Sequence, residues 1–142
     1  MLKIVTGLPG SGKSALLEKM RSEGFCIFDD FRAGEDAPFV EMSRNFGPLM
    51  DELLAGKDCA VSDIAFCEPE YRSEFFKSIK SRLPRQGIEW IYFENAPEKC
   101  RNNLRRENGA HLDRDLRDLE QFSTRYTVPA GTTALPVTVP EE

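Results

Sequence analysis

A chain of 142 residues, 40% hydrophobic and 30% charged, is one compact domain's worth of sequence and is too apolar to stay disordered. Its net charge of −5 lacks the basic footprint of extended duplex binding, although a local basic cluster could still grip a nucleic-acid end. Cys26, Cys59, Cys67 and Cys100 lack CxxC spacing and His111 is the single histidine, so zinc has no ligand set; no run reaches the ~20 apolar residues of a membrane span, and no secretory leader precedes the first motif, which implies a cytoplasmic protein with reduced thiols and no membrane partner.

Leu2–Thr6 is a short apolar run ending at Gly7, the pattern of a buried parallel strand. A helix over Lys13–Glu23 follows, with Leu16, Leu17 and Met20 on one face and Gly24 as its stop. Phe25–Phe28 is a second apolar run, closed by Asp29-Asp30. Asp36 can cap a helix with Pro38 in its first turn, running to about Leu54 and kinked or split at Gly47-Pro48. Cys59–Ser62 is a third strand, with Cys26 and Cys59 as core residues. A helix over about Pro69–Leu83 has Phe75, Phe76 and Ile79 on its inner face.

Ile88–Phe93 is the fourth strand. Asn95 as cap and Glu98 as its reciprocal partner start a helix that ends near Asn108-Gly109. The last helix, about His111–Tyr126, carries Leu112, Leu116, Leu119, Phe122 and Tyr126 at helical spacing as core. Leu135–Val139 is a candidate edge strand among prolines. This alternation predicts an α/β fold in three layers: a mostly parallel sheet of four or five strands with helices on both faces. Residues 1–129 form the domain, and 130–142 its C-terminal strand or tail.

In such sheets ligands sit beyond the carboxyl ends of the strands, where Gly7–Ser14, Asp29-Asp30, Asp63 and Glu94-Asn95 collect. The segment Gly7-Leu8-Pro9-Gly10-Ser11-Gly12-Lys13-Ser14 satisfies G-x-x-x-x-G-K-[ST] between a strand and a helix. Glycines let successive N–H groups turn toward phosphate oxygens, and the helix start adds its open N–H groups and positive dipole end. Gly7, Pro9, Gly10, Ser11, Gly12, Lys13 and Ser14 are thus the candidate ATP-binding residues. Lys13 serves as the cation for the β- and γ-phosphates, and the Ser14 hydroxyl as a Mg²⁺ ligand.

Asp29 and Asp30 are candidates for the base that orients an attacking hydroxyl, one of them facing the site. Asp63, after an apolar strand, is placed as a Mg²⁺ ligand is in phosphate-loop proteins, often through water. Arg101 and Arg105, four apart on one helical face, repel each other unless an anion sits between them, so they are candidates for stabilising the transferring phosphoryl group. Arg106 and His111 read as surface residues.

These segments resemble the small phosphate-loop kinases, most closely the polynucleotide 5′-kinase group, within a wider set that includes zeta-toxin-like kinases. The phosphate loop takes that group's form. Phe28-Asp29-Asp30-Phe31-Arg32 is similar to its Asp-Asp-aromatic-Arg segment, which implies Asp29 as general base on a 5′-hydroxyl and Arg32 as the contact to the acceptor's phosphate. Ser62-Asp63, Glu68-Pro69-Glu70-Tyr71-Arg72 and Arg101-Asn102-Asn103-Leu104-Arg105 match further segments, and the likeness spans residues 1–129. Where the group has Thr-Asn after the Asp, this chain has Ile64-Ala65, which removes polar groups that would help place an acceptor.

The resemblance implies a phosphate-loop NTPase fold and an ATP- and Mg²⁺-dependent kinase. Its acceptor is a hydroxyl of a nucleotide, a nucleic-acid 5′ end or a small metabolite. The alternative is an NTPase, or a nucleotide-dependent switch or binding protein, without a phosphoryl acceptor; no Asn-Lys-x-Asp segment selects guanine.

Overall fold

The computed structural model describes residues 1–32 and 40–138. Four parallel strands, β1 (Leu2–Thr6), β2 (Cys26–Phe28), β3 (Cys59–Ser62) and β4 (Ile88–Tyr92), form one sheet in the order β2-β3-β1-β4. Among the described residues five α-helices accompany them: α1 (Lys13–Ser22), α2 (Phe46–Leu54), α3 (Pro69–Arg82), α4 (Pro97–Glu107) and α5 (Leu112–Ser123). The fold is therefore α/β. Among the described residues no helix is long and apolar enough to cross a membrane.

The period-two alternation of β1 distributes its side chains between two packing clusters. Leu2 and Ile4 enter a cluster with Leu49 and Leu53 of α2 and Phe75 and Ile79 of α3, while Val5 packs with Leu17 and Met20 of α1. A third cluster joins Leu8 to Cys100 and Leu104 of α4 and Leu119 of α5. Leu2, Ile4 and Val5 have no exposed surface, as a central parallel strand covered on both sides requires. Register is in step: Leu2 faces Cys59 on one side and Ile88 on the other, so the carboxyl ends of β1, β3 and β4 finish level.

Gly24 ends α1 at φ 99°, with Gly24 N–H donating to the Arg21 carbonyl and Phe25 N–H to that of Met20. That pair of bonds is the Schellman arrangement, and it needs a residue free of a Cβ in the left-handed region.

Several elements depart from their sequence-based expectations. The break before α2 falls at Ser43–Asn45, between a 3₁₀ turn over Val40–Met42 and the helix start at Phe46. Gly47 and Pro48 do not split the helix, because they lie in its first turn, where a missing N–H costs nothing. The expected cap Asp36 and Pro38 lie outside the described residues. Phe76 is 41% exposed rather than inward-facing, one step round the helix from the fully buried Phe75 and Ile79, and the Lys80 ammonium covers its ring.

Asn95 does not cap α4. Ala96 occupies that position without a side-chain bond, while Asn95 Nδ2 donates to the carbonyls of Ser123 and Tyr126. Pro97, with its fixed φ, starts the helix instead. α5 stops at Ser123, where Ser123 and Thr124 hydroxyls bond back to the Glu120 and Gln121 carbonyls. Tyr126 therefore reaches the core from beyond the helix. The expected edge strand is a single parallel bridge between Leu135 and Phe93, and Val139 lies outside the described residues. Cys59 is buried, but Cys26, on the sheet-edge strand β2, is only half-buried.

Candidate functional site

The loop from β1 to α1 has a conformation its residue types explain. Ser11 N–H donates to the Leu8 carbonyl at 3.1 Å, and Gly10 stands at φ 83°. Pro9 second and a left-handed glycine third are what a type II turn asks for. A Cβ on Gly7 would lie 2.6 Å from Ser11 Oγ, and one on Gly10 would lie 2.5 Å from the Cys100 carbonyl oxygen of α4. Both glycines are therefore required by close approach. Gly12, at φ 109°, opens α1, and no side chain caps that helix. Its first-turn N–H groups are free for an anion.

Lys13 bends back so that Nζ donates to the Gly7 carbonyl at 2.7 Å, and the Cys67 thiol donates to the same oxygen at 3.4 Å. Ser14 follows on the exposed side of the helix start. Burial raises the Cys67 and Cys100 thiols to about 11 against the pull of the Lys13 charge, so both stay protonated beside the loop at neutral pH.

On the β2 side, backbone bonds hold the segment after the strand against Asp63. Phe31 N–H donates to the Ser62 carbonyl at 3.0 Å, and Arg32 N–H to Asp63 Oδ2 at 2.8 Å. Phe31 O accepts from Ser43 Oγ and Asn45 Nδ2, and the buried Phe31 ring meets Phe75 edge-on at 5.5 Å. Asp29 and Asp30 are thereby fixed over the strand ends. Asp30 takes φ 48°, and its N–H donates to Asp29 Oδ1 at 2.9 Å. Crowding by protein raises the Asp29 carboxyl above its ordinary value of 3.8; Asp30 and Asp63 push the same way, while the bond from Asp30 N–H and the Lys13 charge oppose them. Asp29 thus lies within electrostatic reach of Lys13, Asp30 and Asp63.

Asp63, 7% exposed, uses both oxygens: Oδ2 takes Arg32 N–H and Oδ1 takes Ala65 N–H at 2.8 Å. The cap on the Ile64–Cys67 turn is a role that an Asp after a strand allows; the hold on the loop through Arg32 N–H was not legible from the sequence. The Arg32 guanidinium lies over the Tyr71 ring, 5.3 Å from its centre. Arg72 goes elsewhere, donating to the Thr127 carbonyl at 3.0 Å and to its hydroxyl at 3.3 Å.

Opposite, α4 rests on the glycine-rich loop through Cys100, Asn103 and Leu104. Arg101 is half-buried, Arg105 exposed, and neither has an ion-pair partner among the described residues. Glu98, Glu107 and Asp113 do not pair with them. Two residues that sequence reasoning missed support the strand ends. Phe93 packs its ring beneath Gly7 and Gly12, and Tyr126 Oη donates to the carbonyls of Thr6 and Phe93. The place of Phe93 at the end of the expected strand Ile88–Phe93 was the available signal for the first; for Tyr126 the helical spacing gave its core position but not its hydroxyl's bonds.

Among the described residues, the buried side-chain polar atoms without a hydrogen-bond partner are Thr6 Oγ1, Ser11 Oγ, Ser62 Oγ, Arg32 Nε, Tyr71 Oη and Asn103 Oδ1. All of them belong to this one region, although buried polar groups are normally paired. A cavity of about 330 Å³ between α1 and β4, lined by Lys3, Lys19, Glu89 and Leu135 among others, lies apart and gathers none of these atoms.

No protein-family model matches the chain. It is 33% identical over 128 residues to the Uncharacterized protein R277 of Acanthamoeba polyphaga mimivirus, a match that covers 89% of this chain and 86% of the viral protein.

Proposed function

This chain belongs to one family with that mimivirus protein, and we propose that it is a phosphate-loop kinase that moves the γ-phosphoryl group of ATP to a hydroxyl acceptor. The observation that carries this reading is the concentration of unpartnered buried polar atoms around Gly7–Ser14 and the level ends of β1 and β3. The donors among them, the Thr6, Ser11, Ser62 and Tyr71 hydroxyls and Arg32 Nε, suit an anionic ligand bound there, whereas Asn103 Oδ1 only accepts and takes no part. The loop's turn, its uncapped helix start and Lys13 suit a triphosphate.

The residues also fit a Mg²⁺ ion. The Ser14 hydroxyl is exposed, and each Asp63 oxygen takes one N–H and keeps a second lone-pair direction. Ser14 and Asp63 would hold the metal, Asp63 through water; when bound it neutralises charge on the β- and γ-phosphates.

In the transfer, Lys13 exchanges the Gly7 carbonyl for phosphate oxygens. Asp29 accepts the proton of the acceptor hydroxyl, whose oxygen bonds to the γ-phosphorus as the bond to the β-phosphate oxygen breaks and ADP leaves. The upward shift of Asp29 makes it a better base than an ordinary carboxylate. Arg32 orients the acceptor, and Arg101 and Arg105 balance the charge on the transferring group.

A second reading, an NTPase or nucleotide-dependent switch without an acceptor, is favoured by one feature. The turn after Asp63 presents Ile64 and Ala65, whose side chains offer an acceptor nothing polar.

Both readings are tested by incubating the protein with γ-labelled ATP and Mg²⁺ against 5′-hydroxyl oligonucleotides, nucleosides and sugars. The kinase reading expects label on one acceptor class, lost in Lys13→Ala. Mg²⁺-dependent hydrolysis without label on any acceptor selects the second reading. Absence of ATP binding defeats both.

A further inference from the structure

Resting on the phosphate-loop reading, we infer that the segment Leu135–Thr138 is a working part of the nucleotide site, and that Asn103 is the positioning residue through which it acts. The segment's course is set by backbone bonds. Leu135 N–H donates to the Tyr92 carbonyl at 2.7 Å, and Glu94 N–H returns a bond to Leu135 O at 2.8 Å. Val137, 3% exposed, donates its N–H to Glu94 Oε1 at 3.0 Å. Glu94 thereby turns the chain from the edge of β4 toward α4.

There Asn103, 7% exposed, spends both N–H groups of its side-chain amide: one on the Thr138 carbonyl at 2.9 Å, the other on the Gly10 carbonyl at 3.0 Å. One amide thus joins the C-terminal segment, α4 and the phosphate loop.

What the amide holds matters for an anion. Gly10 is the left-handed residue of the Leu8–Ser11 turn, and its peptide unit, whose own N–H is spent on the Leu8 carbonyl, leads into the open N–H groups from Gly12 onward. Fixing the Gly10 carbonyl outward, against α4, fixes that peptide plane before any ligand arrives. The same bond sets how far α4 stands from the loop, and Arg101 and Arg105 travel with that helix. Asn103 Oδ1, buried and unpartnered at this junction, is the cost of a geometry chosen for the two donors. Both acceptors are main-chain carbonyls, so the specificity of the link resides in Asn103 alone.

The experiment measures ATP·Mg²⁺ and ADP·Mg²⁺ affinity by calorimetry on the full chain, in wild type, Asn103→Ala, Glu94→Ala and the double variant. Asn103→Ala is expected to weaken ATP about 5- to 30-fold, the loss of two hydrogen bonds of about 1 kcal/mol each. It should also lower the preference for ATP over ADP, which a purely structural role leaves unchanged. Glu94→Ala, on the solvent side, should weaken ATP about 2- to 5-fold, and the double variant should bind no worse than Asn103→Ala.

Wild-type binding with Asn103→Ala within twofold overturns the inference and leaves the phosphate-loop reading standing. Losses from the two sites that multiply instead of merging overturn the route through the C-terminal segment. If Asn103→Ala does not fold, unchanged ATP affinity in Glu94→Ala overturns the inference and a 2- to 5-fold loss supports it. Failure of the wild type to bind ATP removes the parent reading, and this one with it.

Discussion

Replacing Gly10 with alanine separates two effects that the structure superimposes at that position. The first is conformational: Gly10 stands at φ 83°, and an L-residue in the left-handed region costs about 1–2 kcal/mol. The second is steric. An added Cβ would lie 2.5 Å from the Cys100 carbonyl oxygen and 2.9 Å from Leu104 Cγ. The first of these is backbone, so α4 must move, and overpacking of this kind costs about 1–3 kcal/mol.

Gly24 supplies the control, because it has φ 99° and nothing within 4 Å of its would-be Cβ. Gly24→Ala should therefore lose about 1–2 kcal/mol, and Gly10→Ala about 2–5 kcal/mol, a large share of a domain's usual 5–15 kcal/mol. Urea unfolding followed by circular dichroism reads both. Equal losses at the two positions would show that α4 does not press on the loop, and would refute the packing argument.

Asp29→Asn should spare ATP binding and cut transfer by about 10²–10⁴-fold, since a general base contributes on that scale; a loss below about threefold moves the base elsewhere, Asp30 first. Because the folded protein raises the Asp29 carboxyl above 3.8, its ionised form is the disfavoured one. The stabilising influence of its proton is present at low pH and is lost as pH rises through the raised value. Activity should therefore fall on the acid side with a midpoint above 3.8, and Asp29→Asn should unfold at higher urea than wild type at neutral pH. Native protein treated with a thiol reagent should react at Cys26 alone, with Cys59 (raised to about 12), Cys67 and Cys100 protected until denaturation; rapid reaction at any of those three contradicts their burial. Tyr126→Phe leaves the Phe93 carbonyl without its hydroxyl donor, while the Thr6 carbonyl keeps the Phe93 N–H, and should cost about 1–3 kcal/mol in the same urea assay.

What could be read from the sequence follows from how locally each feature is encoded. β1, β3 and α1 were legible because their signals are short-range: an apolar run, a glycine after it, periodic leucines. The glycine-rich loop was legible because its residue types answer to backbone geometry that Gly7, Gly10 and Gly12 display. The Asn95 cap and the length of α5 misled because Asn95 had a competing use, holding the carbonyls of Ser123 and Tyr126, and that choice is made 28 residues away. Asp63 could be read as a metal ligand or a turn cap, but its bond to Arg32 N–H crosses 31 residues and has no local trace. The tie from Asn103 to Gly10 spans 93 residues and was invisible for the same reason.

The strand order carries a consequence for how the molecule is made. β1 is flanked by β3 and β4, so it leaves the ribosome well before either neighbour exists. Until residues 59–62 and then 88–92 emerge, its Leu2, Ile4 and Val5 have no sheet to enter. Pairings this distant in sequence close late and slowly, and leave an adhesive edge in the meantime. Refolding should therefore be slower than for a helical bundle of equal length, with nascent-chain aggregation falling sharply once residues 88–92 have emerged from the ribosome.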